Sequence, residues 1–195
     1  MAQVRTFIAV DVGAGIRKTA TTLQKALAQC GADVKWVEPD NLHLTLIFLG
    51  EVDDRQLHAV CRAVAKAVVK ESPFAIRVAG VGAFPSPRRP KTLWAGITDG
   101  ADNLARIHDL IAEPLVEIGG YRREDRPYTP HLTLGRINGE ANGNLIATEL
   151  PKHLAWAGGH SAIEEVLVIG SELRRGGPTY TVLGRAPLNG DLDDD

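Results

Sequence analysis

Apolar positions along the chain recur with two periods, one of two residues and one of three to four, and they divide it into strands and helices. Arg5–Val10 predicts a first strand. Ile16, Ala20, Leu23 and Leu27 share one face of a helix expected from about Gly15 to Gln29, with Gly31 as its stop. Val34–Val37 predicts a short strand and Leu42–Leu49 a longer one that Gly50 ends. Asp53 and Asp54 are helix-start acids for a segment carrying Leu57, Val60, Val64 and Val68. Phe74, Ile76 and Val78 alternate with smaller or charged residues, as in a half-buried strand. Gly82–Pro90 holds three prolines and reads as a loop. Thr92–Ile97 predicts another strand, and Leu104, Ile107, Ile111 and Leu115 a second long helix that Pro114 should kink or shorten. Tyr121–Tyr128 is basic and loop-like. His131–Arg136 is a strand and Leu145–Leu150 a short helix. Ile163–Glu172 and Thr179–Arg185 form a hairpin about a turn at Arg174–Pro178.

The order strand, helix, strand recurs in both parts of the chain, and the strands are joined by short turns that favour antiparallel pairing. The expected class is α+β, with two similar lobes around a central cleft. No linker separates them, so residues 1–188 are expected to form one domain and 189–195 an acidic, disordered tail.

Composition narrows the setting. A chain of 195 residues, 44% of them hydrophobic, can build one sizeable core. Its formal net charge is −2, but four carboxylates lie in the last five residues. Without them 22 basic residues face 20 acidic ones, so the body is +2. The two cysteines, Cys30 and Cys61, sit in helical stretches and read as buried free thiols of a reducing compartment. No basic cluster precedes a long apolar run and no stretch reaches spanning length, so a cytoplasmic protein without a membrane partner is expected.

The tetrapeptide His-Leu-Thr-Leu occurs twice, at His43–Leu46 and at His131–Leu134. In a strand, each copy places His and Thr on one face and both leucines on the other. A single His-x-Thr is most simply a partly buried histidine bonded to a neighbour. Here both copies fall in strands, and their histidines lie 131 minus 43, or 88, positions apart, near the period of a pseudo-symmetric pair of halves. Two imidazoles, the side chain whose unperturbed pKa of about 6.5 lets it serve as acid or base near neutral pH, with two hydroxyl donors, suit an in-line displacement at phosphorus. The set is poor for a metal, since neither His-x-x-x-His nor Cys-x-x-Cys occurs. Gly13 and Gly15 lack the remainder of a phosphate loop and read as turn residues. His58 and His108 lie in predicted helices and read as surface residues.

The surrounding blocks carry a resemblance. Arg5–Val10, Trp36-Val37, Asn41–Gly50, Gly82–Pro85, Leu93–Gly96, Pro130–Arg136, Ser171–Leu173 and Gly177–Tyr180 resemble the 2H phosphoesterase superfamily. Within it the chain is similar to the RNA 2′,3′-cyclic phosphodiesterases, also called LigT-like 2′-5′ RNA ligases. The resemblance covers essentially everything but the tail. It implies a bilobal fold with a groove between antiparallel sheets and helices outside. It also implies metal-independent, cofactor-free hydrolysis of 2′,3′-cyclic phosphate ends of RNA to 2′-phosphomonoesters, with a weaker reverse ligation.

By the same resemblance His43 is the proton donor to the leaving 3′-oxygen and His131 the proton acceptor that activates water. Thr45 and Thr133 bind the non-bridging phosphate oxygens. Arg136 joins them through the resemblance and not through spacing: its odd offset from His131 faces it away in a regular strand, and it reaches phosphate only if the strand ends or bulges at Gly135. Phe48 has the same odd offset from His43. It is either an RNA contact, which requires a bend in the strand, or a core residue. Tyr128 is a candidate RNA contact at the groove mouth. Arg88, Arg89, Lys91, Arg122, Arg123 and Arg126 are either contacts to RNA phosphates or solvated loop charges. The expected partner is RNA with a cyclic phosphate end, or a related cyclic nucleotide, bound by a monomer. The same chemistry on another cyclic phosphate or a 2′-5′ oligonucleotide stays open, as does an RNA-end binding module without turnover.

Overall fold

The computed structural model describes residues 2–118, 121–122, 127–175 and 177–190. The acidic run 191–195 and the expected contacts Arg123 and Arg126 lie outside the described residues. The first part of the chain forms β1 (Gln3–Asp11), α1 (Gly13–Ala28), β2 (Val34–Trp36), β3 (His43–Asp53) and α2 (Leu57–Val68). A long hairpin follows, β4 (Phe74–Ser86) with β5 (Arg89–Asp99), and then α3 (Ala101–Glu117) and β6 (His131–Ile137). The chain closes with α4 (Glu140–Glu149), β7 (Ala157–Ile163), β8 (Glu165–Arg174) and β9 (Gly177–Pro187).

All the pairings are antiparallel, and the strands make one curled sheet in the order β7-β4-β5-β6-β3-β1-β8-β9, with β2 added on β6. The two expected lobes are the two halves of this sheet. The seam between β6 and β3 divides the eight-strand path into four and four, with β2 as a ninth strand on the β6 side. Each half reaches its central strand by the same route, β1–α1–β3 and β5–α3–β6. The seam itself is thin, with Leu44↔Leu132 as its ladder pair among the described residues. Both leucines are fully buried, and truncating one to Ala would cost about 2–5 kcal/mol. Beyond this pair, β2 from the first part of the chain adds three ladder pairs to β6, so ladder bonds and side-chain packing both join the two parts.

The main core lies between the helices and one face of the sheet. It takes Ile16, Leu23 and Leu27 from α1, Val60 and Val64 from α2, and Leu104, Ile111 and Leu115 from α3. A smaller apolar layer, Phe7, Ala9, Leu167 and Ile169 with Tyr180 against it, sits on the opposite, concave face.

Several expected boundaries are corrected. Gly50 does not end β3. It has φ +75° and marks a bulge against β1, past which the strand runs to Asp53. Gly82–Pro90 is no loop but the turn end of the β4–β5 hairpin, turning at Pro87-Arg88. Its prolines fit because Pro85 and Pro90 oppose each other beside the turn, where the register shifts. Pro114 removes one hydrogen bond from the last turn of α3, and the helix still reaches Glu117, where Ile118 N–H closes on the Pro114 carbonyl at 3.2 Å. The short helix expected at Leu145 begins at Glu140. β7 was not expected, since Ala157–Ile163 carries two glycines and no alternation. A Cβ at Gly158 would meet the Trp156 ring at 2.4 Å, so packing has selected against the very side chains that would signal a strand there. Cys30 and Cys61 are free thiols, half-buried instead of fully enclosed.

Candidate active site

The two tetrapeptides occupy the central strands of the concave face. His43 and Thr45 stand opposite Asp11 and Ala9 of β1. His131 and Thr133 stand opposite Gly96 and Trp94 of β5. The four motif leucines point the other way and are buried in the main core. One sequence repeat thus builds both the seam of the core and the face of the site.

Each motif strand then breaks its alternation at the same place. In β3 the register shifts so that Ile8 faces Ile47 while Ala9 faces Thr45, which leaves Leu46 without a partner. In β6 Leu93 faces Gly135 while Trp94 faces Thr133, which leaves Leu134 without one. Both are β-bulges at the fourth residue of the tetrapeptide. The extra residue reverses parity, so the fifth residue after each histidine returns to the concave face. Phe48 is accordingly 56% exposed and rests on Phe7 at 5.9 Å, so it is no core residue. Arg136 emerges beside Thr92 and faces the same cleft as His131 and Thr133.

Both imidazoles are held in one tautomer by the same device. His43 Nδ1–H donates to the Asn41 carbonyl at 2.7 Å, and His131 Nδ1–H donates to the Thr129 carbonyl at 2.7 Å. Each Nε2 is left for chemistry. The Nε2 of His43 lies 2.9 Å from the Thr45 hydroxyl. Asn41 is itself fixed, because its side-chain amide donates to the Pro178 carbonyl of β9 at 3.0 Å. Each ring also meets a phenylalanine: Phe7 stacks on His43 at 4.8 Å, and Phe84 meets His131 edge-on at 5.0 Å.

A cleft of about 560 Å³ opens beside these groups, walled by Thr45, Phe48, Phe84, His131, Thr133 and Arg136 from the strands. His43 stands at its edge and reaches it through Thr45. His108, Asp109, Tyr121 and Tyr128 form the far wall. Among the described residues no three of His, Cys, Asp and Glu converge to hold a metal.

Burial among Phe7, Tyr180 and the apolar layer lowers the His43 pKa below its usual 6.5, against the bond to Asn41, which raises it. The folded chain therefore prefers neutral His43, whereas the unfolded chain takes up its proton near pH 6.5. The stability from this group is complete above 6.5 and is lost as pH falls through the lowered folded value. Thermal melts between pH 8 and pH 5 should show this loss, and a His43→Gln variant should show a shallower one. Parallel pH dependences for the two proteins would contradict it.

Not every expected residue joins the cleft. Arg88, Arg89 and Lys91 line a neighbouring groove of about 590 Å³ with Pro85, Gly143 and Asn144. Tyr128 lines the cleft, but its hydroxyl is engaged with the Thr45 carbonyl at 2.9 Å. His108 is a correction. It is no free surface residue but stacks flat on Tyr128, with centroids 4.5 Å apart and planes 2° from parallel. Its place on the stripe of Leu104 and Ile111 was the available signal. Phe84, Phe7 and Tyr180 were not expected as site residues.

A profile of the family described as LigT like Phosphoesterase matches residues 10–94. The RNA 2′,3′-cyclic phosphodiesterase of Methanothermobacter thermautotrophicus is 34% identical over 179 residues, covering 92% of this chain and 96% of that protein. The protein of the same name from Aquifex aeolicus is 30% identical over 190 residues, covering 97% and 100%. Among solved structures, a protein of Thermus thermophilus superposes with a TM-score of 0.81 at 28% identity, over 96% of this chain and 99% of that one. Apo LigT of E. coli superposes with a TM-score of 0.75 at 26% identity, over 95% and 97%. With a bilobal antiparallel sheet, two His-x-Thr strands on its concave face and relatives of this extent, the chain belongs to the LigT-like phosphoesterase family.

Proposed function

We propose that the protein hydrolyses the 2′,3′-cyclic phosphate at an RNA end to a 2′-phosphomonoester, using His43 as proton donor and His131 as proton acceptor. The observation that carries this reading is the matched pair of imidazoles on one face, each with Nδ1 tied to a backbone carbonyl and Nε2 left for proton transfer. His131 Nε2 takes a proton from water as the water oxygen bonds to phosphorus. The bond from phosphorus to the ribose 3′-oxygen breaks, and His43 Nε2–H protonates that oxygen. A 5′-hydroxyl in place of water gives the reverse 2′-5′ joining.

Thr45 favours His43 as the donor. While His43 is neutral, the Thr45 hydroxyl donates to its Nε2 across 2.9 Å. Once His43 is protonated, Nε2–H donates to Thr45, and the hydroxyl proton is released to point at a phosphate oxygen. The acid and one phosphate donor are thus armed by the same proton. Burial opposes that proton in the free protein, and an anionic phosphate beside Nε2 supplies the compensating charge. Thr133 and Arg136 complete the hold on the non-bridging oxygens from β6. Phe48 and Phe84, the exposed aromatics of the cleft, offer stacking surfaces to bases. Arg88, Arg89 and Lys91 carry the phosphates farther along the strand.

The test is incubation with an RNA ending in a 2′,3′-cyclic phosphate, in EDTA, followed by identification of the product isomer. A 2′-phosphate is expected. Lack of turnover, turnover only with added divalent metal, or a 3′-phosphate product would overturn the reading.

A further inference from the structure

Beside each of the bulges that bring Arg136 and Phe48 onto the reacting face, a strand carbonyl accepts a side-chain hydrogen bond. At each bulge, the other half of the chain supplies a side chain. The carbonyl of bulged Leu134 accepts from the side-chain amide of Gln24 on α1 at 2.9 Å and from Val37 N–H at 2.9 Å. The same amide donates to the Val37 carbonyl at 2.8 Å. Two carbonyl acceptors require that the amide nitrogen, not its oxygen, faces them. On the other side, the carbonyl of Thr45, just before bulged Leu46, accepts from the Tyr128 hydroxyl at 2.9 Å.

Gln24 lies with Ile16, Ala20, Leu23 and Leu27 on the buried face of α1 and is only 6% exposed. Packing alone would favour leucine there, since a buried amide brings desolvation cost without added apolar contact. Its two bonds explain its place. They fix the one point in β6 where the parity change occurs, two residues from Arg136.

We propose that Gln24 and Tyr128 are positioning residues, each holding the bulge of the opposite half and so aiming the phosphate-binding groups. Gln24 acts through Leu134 on Thr133 and Arg136, and Tyr128 acts on Thr45. Where β3 and β6 themselves share the single ladder pair Leu44↔Leu132 among the described residues, these crossed ties set how the two motifs face one phosphate. This inference rests on the proposed phosphodiesterase reading.

The experiment compares the wild type, Gln24→Leu, Arg136→Met and the double variant. Each is assayed for turnover of RNA 2′,3′-cyclic phosphate, affinity for inorganic phosphate, and melting. Gln24→Leu should lose about tenfold in kcat/KM while melting within a few degrees of wild type, and should lose nothing further in the Arg136→Met background. The same loss in both backgrounds, or no loss at all, would overturn the proposal. If Gln24→Leu does not fold, Tyr128→Phe paired with Thr45→Val carries the same design. If the wild type has no turnover, the phosphodiesterase reading fails, and phosphate affinity decides the inference. Weakening by Gln24→Leu that vanishes beside Arg136→Met then supports it. Equal weakening in both backgrounds refutes it.

Discussion

Replacing His43 or His131 with Ala is expected to lower kcat on RNA 2′,3′-cyclic phosphate by about 10²–10⁴-fold in each case. Each substitution removes one of the two proposed proton transfers and leaves the proposed phosphate donors in place. The double variant should be little slower than the worse single one, because groups that act in one step are not additive. Both variants should fold. His131 is only half-buried above the sheet, and His43 belongs to the concave layer and not to the main core. Single-turnover rates with circular dichroism as a control measure this. A loss of under tenfold in either variant would remove that imidazole from the chemistry.

The next largest effects belong to the threonines. Thr45→Val and Thr133→Val keep the β-branched shape that suits a strand and delete one hydroxyl donor each. The non-bridging oxygens gain charge as the fifth bond forms, so a fixed donor matters most in that state. A loss of about 10²–10³-fold in kcat is expected, with KM changing far less. The two variants should differ in one respect. Thr45 also bonds His43 Nε2, so Thr45→Val should shift the pH dependence of kcat/KM, and Thr133→Val should leave it in place. A pH profile measured on both variants decides it. An unmoved profile in Thr45→Val would break the proposed coupling between that hydroxyl and the acid.

The site's principal face could be read from the chain because strand geometry is local. A repeated His-Leu-Thr-Leu fixes which side chains share a side, and both copies lie as that rule requires. The bulges were less legible: a break at Gly135 was the condition for Arg136 to reach the phosphate, but the chain does not say whether or where such a break falls. Period two assumes one residue per ladder step, and one extra residue inverts everything after it. Adjacent Leu46 and Ile47, both buried, were a local sign of such a break, as were Leu134 and Gly135. Strict alternation, which ignores that sign, turns Arg136 and Phe48 to the wrong face. His108 and Gln24 were hidden for a different reason. Each sits on an apolar helix stripe, and only the fold reveals the strand carbonyl or ring it meets. β7 carries so little apolar patterning that its pairing to β4 is a property of the assembled sheet.

In the proposed mechanism His43 gives its proton to the leaving 3′-oxygen while His131 takes one from water. A bell-shaped pH profile cannot separate this from the reverse assignment, since both predict the same macroscopic curve. A cyclic substrate with sulfur in place of the 3′-oxygen can. A thiolate is a far weaker base than an alkoxide and leaves without a proton. His43→Ala should turn this substrate over within about tenfold of the wild-type rate, while His131→Ala should remain impaired by orders of magnitude. Recovery of His131→Ala instead, or equal impairment of both variants, would contradict it.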